Sequence, residues 1–141
     1  MSVIDSAIAK LQAHILACTT VAIKKAPNYP VSDATMLPLA ITYFTQGTGE
    51  ATNYSMTKFL LTVNVDVHFA RNSISDAYQK IDAIANEFIQ RLAGDPTLGG
   101  TVDTIVFPVS FTVSPTQWDA VATQMISFTV QFKSLQTPIT A

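Results

Sequence analysis

The chain reads as α+β: one antiparallel sheet of about four strands with two helices packed on one face, in the order α-β-β-α-β-β. Three observations predict this. Apolar residues recur at helical spacing over 2–18 and 74–93. They alternate with polar residues in four other stretches. Those stretches fall in pairs, one pair on each side of the second helix, as two hairpins would.

The first helix is expected over 2–18. Ser2 can cap it, with Asp5 three positions on. Ile4, Ile8, Leu11, Ile15 and Cys18 make one stripe at steps of four and three. Pro27, Asn28, Pro30, Ser32 and Asp33 then mark a loop. The connection is long and proline-bearing for a small domain, which suggests an arm at 19–36 reaching a neighbouring subunit.

Period two begins near Leu37. Leu39, Ile41 and Tyr43 alternate with Ala40 and Thr42 as a first strand. Gly47, Gly49, Asn53 and Ser55 read as a flexible link or projecting hairpin tip. In the second strand Phe59, Leu61, Val63, Val65, Val67 and Phe69 face one way, and Lys58, Thr62, Asn64, Asp66 and His68 the other.

The second helix is expected over 74–93, capped by Ser73 or Ser75, with Asp76 suiting its positive end. Ala77, Ile81, Ile84, Ala85, Phe88 and Leu92 form its buried face. Gly94 stops it in the left-handed manner, and Pro96 blocks continuation. A third strand carries Ile105, Phe107, Val109, Phe111 and Val113. Pro108 cannot donate to a ladder, so this strand is expected at an edge or bulged. Residues 114–119 are expected to turn. The fourth strand runs to about Lys133, with Ile126, Phe128, Val130 and Phe132 inward. The domain is thus expected to span 1–134, with 135–141 as a polar tail holding Leu135 and Pro138.

At 141 residues the chain suits one domain that buries roughly two-thirds of its unfolded surface and needs no disulfide or metal to fold. The lone Cys18 cannot form an internal disulfide, which fits a reducing compartment. The first stretch holds Asp5, Lys10 and His14 and does not read as a signal peptide. No segment approaches the roughly 20 apolar residues of a membrane span. A net charge of −2, with Lys24-Lys25 the only adjacent basic pair, argues against gripping nucleic-acid backbone by charge. Charged residues make up 13% of the chain, against about 25% in an ordinary soluble domain. Either the surface is unusually neutral, or much of it is covered by other subunits, since interface cores are depleted in charge.

Catalytic signals are weak. Asn64, Asp66 and His68 share one strand face, but neighbours on such a face stand about 6.5–7 Å apart and a flat row rarely closes a metal sphere. His14 lies beside the apolar stripe with no carboxylate nearby in sequence. Cys18 reads as buried and apolar, lacking the electropositive setting of a nucleophile. No Gly-x-Ser-x-Gly elbow is present. Residues 94–100 superficially resemble a phosphate loop, but they follow a helix and lack Gly-Lys-Ser/Thr. Neither an enzyme nor a cofactor is expected. Tyr29 and Trp118 are single loop aromatics that suit either a partner or ordinary packing.

The order of parts supports a resemblance. Strand Phe59–Phe69 leads through Arg71 and Asn72 into a helix with Ala77, Asp82, Ile84 and Leu92. Then come Asp95-Pro96-Thr97-Leu98-Gly99-Gly100-Thr101-Val102 and a strand pair ending in Phe128-Thr129-Val130-Gln131-Phe132. This layout, which covers nearly the whole chain, resembles the tail terminator (tail-completion) proteins of long-tailed phages. The resemblance implies a structural subunit made in the host cytoplasm and carried in the virion at the head–tail junction. It implies a ring, usually of six copies, that caps the tail tube, stops its growth and docks the head's connector or neck proteins. DNA would pass through the ring without specific binding, and no membrane is involved. Candidate assembly contacts are Tyr29, Gly47, Gly49, Asn53, Trp118, Leu135 and Pro138. The alternatives are a tail-tube or other neck subunit and a generic cytosolic binding domain.

Overall fold

A computed structural model of the chain describes residues 3–19, 23, 38–53, 56–71, 74–118 and 121–136. The elements are α1 (Val3–Leu16), β1 (Leu39–Asn53), β2 (Met56–Ala70), α2 (Ile74–Ala93), β3 (Thr104–Trp118) and β4 (Val121–Gln136). The fold is α+β, with one open antiparallel sheet in the order β1-β2-β4-β3. Each hairpin contributes its second strand in chain order, β2 or β4, to the centre. These two pair without a register shift from Thr57 opposite Gln136 to Ala70 opposite Thr123.

Both helices lie on the apolar side of the sheet. Ala7, Ile8, Leu11, Ile15 and Cys18 of α1 and its end share one core with Val63, Val65, Val67 and Phe69 of β2 and with Ile126, Phe128, Val130 and Phe132 of β4. The buried residues of α2 are Ala77, Ile81, Ile84, Ala85, Phe88 and Leu92, the stripe that the helical spacing predicts. Phe88 meets Phe128 edge to face with centroids 4.8 Å apart, a contact worth about 1 kcal/mol beyond area burial. Ile23 joins the same core, and the Thr19 backbone N–H is bound by Glu87. The start of the expected arm therefore packs on its own domain, while most of 19–36 lies outside the described residues.

α1 ends at Leu16, two residues short of the expected 18, and three strand boundaries also differ from the sequence expectation. β1 continues through Gly47, Gly49 and Asn53, which pair with Leu61, Phe59 and Met56 instead of forming a flexible link. The glycines are tolerated because β2 side chains lean over them. A Cβ on Gly47 would lie 2.6 Å from Leu61 Cδ2, and one on Gly49 would lie 3.1 Å from the Phe59 ring. Ser114–Trp118 belong to β3 and pair with β4, so the expected turn at 114–119 is strand over most of its length. β4 runs two residues into the expected tail, taking Leu135 and Gln136 as strand. All three extensions are carried by ladder pairing with a neighbouring strand, β2 for β1 and β4, and β4 for β3, where isolated Gly and Pro in the sequence suggest breaks.

β3 is an edge strand and is also irregular. Four residues from Val106 to Ser110 advance against two on β4, and the Phe107–Pro108 peptide is cis. Because the excess is two residues, side chains keep their faces beyond it. α2 ends at Ala93 as expected. Gly94 does not take the left-handed conformation, which falls instead on Leu98, Gly99 and Gly100.

Candidate assembly surface

The loop after α2 is a hydrogen-bonded clasp. Asp95 Oδ1 accepts from the Gly99 N–H at 2.9 Å, and Asp95 Oδ2 accepts from His14 Nε2 at 2.7 Å. The Gly100 N–H donates to the Thr97 carbonyl, and the Ile105 N–H donates to the Pro96 carbonyl at 2.7 Å. Leu98 is fully buried, with φ +48°, so its side chain plugs the core from a backbone conformation that few β-substituted residues adopt. Lys10 of α1 lies across Gly99, where an added Cβ would sit 2.3 Å from Lys10 Cε. The backbone N–H groups a phosphate loop would aim at a ligand are used internally here. The Gly99 N–H and His14 hold the Asp95 carboxyl below the usual carboxylate range. His14, which has no carboxylate near it in sequence, thus finds one through the fold.

The row Asn64, Asp66 and His68 does not converge on an open site. Asp66 is buried, accepting from Tyr43 Oη at 2.6 Å and from Ser127 Oγ at 2.5 Å. His68 Nδ1 pairs with Thr123 Oγ1 at 3.0 Å, and burial lowers the His68 pKa. Burial and the Asp66 carboxylate push the Tyr43 phenol up to about 12. These are satisfied structural groups. Burial first, then the Glu87 carboxylate, pushes the Cys18 thiol up to about 11, so little nucleophilic thiolate forms near neutral pH. No cluster of His, Cys, Asp or Glu suited to a metal occurs among the described residues.

The face away from the helices divides in two. Near the start of β1 it is covered, with Leu39, Ile41, Asp66, His68 and Thr123 all buried. Sequence alternation places Leu39 and Ile41 on a common face but gives no sign that this polar side is buried. Toward the β1–β2 turn the same face opens, and Tyr43, Thr62 and Asn64 are half-buried while Thr48 and Glu50 are exposed.

The remaining exposed apolar groups sit at the periphery. Phe44 on β1 is 57% exposed, and Phe107 and Phe111 on β3 are each nearly half exposed. Ile74 and Tyr78 stand at the start of α2 and Leu16 at the end of α1. Phe111 touches Phe128, yet its outer side lines a groove of about 300 Å³ with Asp82, Ala85, Asn86, Ile89 and Gln90. Of the residues expected to make contacts, Gly47, Gly49 and Asn53 fall on edge strand β1. Trp118 ends β3, and Leu135 is exposed near the end of β4. Lys58 stands between Glu50 and Leu135 in the register, so Leu135 lies at the same end of the sheet as Gly47, Gly49 and Asn53, whereas Trp118 lies at the opposite end. Tyr29 and Pro138 lie outside the described residues. Phe111 escapes sequence reasoning because an apolar residue at the correct period reads as core unless the width of the covering layer is known, and no sequence signal singles out Phe44 or Tyr78.

No helix among the described residues is long and apolar enough to cross a membrane. No family model matches the chain, and no curated protein matches it.

Proposed function

We propose that this chain is a structural assembly subunit, a tail terminator of a long-tailed phage. Six copies form a ring on the head-proximal end of the tail tube. The ring stops tube growth, presents a docking surface to the connector or neck proteins, and leaves an opening for DNA. The observation that carries the reading is the Asp95–Val102 clasp between α2 and β3. It is the most characteristic part of the resemblance, and in this fold it locks α1, the sheet and the helix end into one rigid unit. A charge-poor chain with aromatic groups at both sheet edges suits a subunit that is covered by its neighbours. A sequence with Lys24-Lys25 as its only adjacent basic pair suits a channel that releases DNA. The polar groups best placed for chemistry are consumed by internal hydrogen bonds, which favours a non-enzymatic role.

The second reading is a tail-tube or other neck subunit, although a tube subunit is expected to carry more strands than this single four-stranded sheet. Negative-stain electron microscopy of the purified protein separates the two. Discrete rings are expected for a terminator, whereas long tubes identify a tube subunit and overturn the first reading. A strict monomer with no affinity for tail tubes overturns both in favour of a generic binding domain.

A further inference from the structure

The two edges of the sheet are guarded unequally. β3 carries Pro108 and Pro115 and a two-residue register shift, all of which obstruct strand addition. β1 has no proline, lysine or arginine, and Glu50 is its one charged residue. Glu50 stands opposite Lys58 across the hairpin, so the edge is locally balanced. All residues from Phe44 to Ala51 are exposed. Register shifts fall between Phe44 and Gln46 and between Ala51 and Asn53, so Gln46–Ala51 is a regular run with its outer edge unpaired among the described residues. Leu61 and Phe59 occupy the space beside Gly47 and Gly49, which keeps this glycine-bearing run strand-like.

We infer that this run is a homotypic docking edge, on which β1 of a second copy adds antiparallel to form a twofold pair centred on Thr48. A twofold axis normal to the sheet makes residues of like face meet, so the axis must pass through a residue and its own copy. Centring on Thr48 places Thr48 on Thr48, Gly47 on Gly49 and Gln46 on Glu50. The Thr pair and the two amide–carboxylate pairs are favourable cross-strand partners, and no like charges oppose. The glycine pairs leave the helix-bearing side free of clashing side chains at the junction. The occupant is a second copy because the run is complementary to itself in both polarity and charge. This contact is independent of the ring reading. It closes a dimer alone.

The test is sedimentation equilibrium of the wild type, of Gln46→Glu, and of Gln46→Glu combined with Glu50→Gln. Both positions are exposed, and thermal melts verify that each variant folds. The wild type is expected to pair. Gln46→Glu sets two carboxylate pairs face to face and is expected to weaken pairing about tenfold. The double variant exchanges amide and carboxylate and is expected to restore it. A monomeric wild type, a Gln46→Glu variant that pairs like the wild type, or a double variant that stays weak overturns the inference. Rings that form in all three proteins and never pair overturn it while leaving the ring reading intact. Twofold dimers that never close into rings do the reverse.

Discussion

His14 and Asp95, 81 residues apart in sequence, share a 2.7 Å hydrogen bond that ties the last turn of α1 to the loop after α2. The same carboxylate caps the Gly99 N–H, so one side chain fixes both the shape of the loop and its position.

Asp95→Ala is therefore expected to destabilise the fold by about 1–2 kcal/mol, the range for losing hydrogen bonds to a partly exposed charged group. Urea denaturation near neutral pH measures it. The sign of the pH dependence follows from the lowered Asp95 pKa. Its contribution is complete above the ordinary carboxylate value of 3.8 and is lost as pH falls through the lower folded value. Asp95→Asn should show a shallower loss of stability across that acid window than the wild type.

His68 adds a second acid-sensitive element at higher pH. Burial lowers its pKa below 6.5, so the folded state favours the neutral ring. Its contribution is complete above 6.5 and falls as pH drops toward the folded value. Replacing His68 with Gln should remove this part of the slope, measured by melting temperature across mildly acidic buffers.

Thr42 is fully buried on the helix-bearing side, and its hydroxyl has no hydrogen-bond partner among the described residues. Thr42→Val removes the unsatisfied group and keeps the branched shape. It should raise stability by about 1 kcal/mol, read from the denaturant midpoint. An unchanged or lower midpoint would mean that the hydroxyl is satisfied.

Gly47 lies under Leu61, itself buried. Gly47→Val must displace that side chain from the core and should cost about 1–3 kcal/mol by overpacking. Gly94→Ala, whose Cβ would meet nothing closer than 3.6 Å, is the control and should leave stability near the wild-type value. Equal midpoints for Gly47→Val and the wild type would show that the Leu61 side chain gives way without cost.

Much of the fold was legible because the apolar periods are long and unbroken. The six residues of α2 identify its buried face, and the alternation of β2 identifies its helix-bearing face but not the burial of Asp66 and His68 on the other side. Pro108 correctly marks β3 as an irregular edge. Gly47 and Gly49 misled because the residues that make them tolerable, Leu61 and Phe59, sit on another strand. Gly94 looked like the left-handed stop, but Asp95 moves that geometry to Leu98–Gly100 by binding the Gly99 N–H. The Tyr43–Asp66–Ser127 cluster joins three strands, and only the register brings it together. The exposed apolar periphery was the least legible part. Exposure of Phe44 and Phe111 depends on where the helix layer stops, which local sequence does not encode.

The most direct test of the central claim is electron microscopy of virions labelled at the C-terminus of this chain. Label confined to the head–tail junction is the predicted result. Label spread along the whole tail, or absent from the particle, would contradict the assignment as a tail terminator.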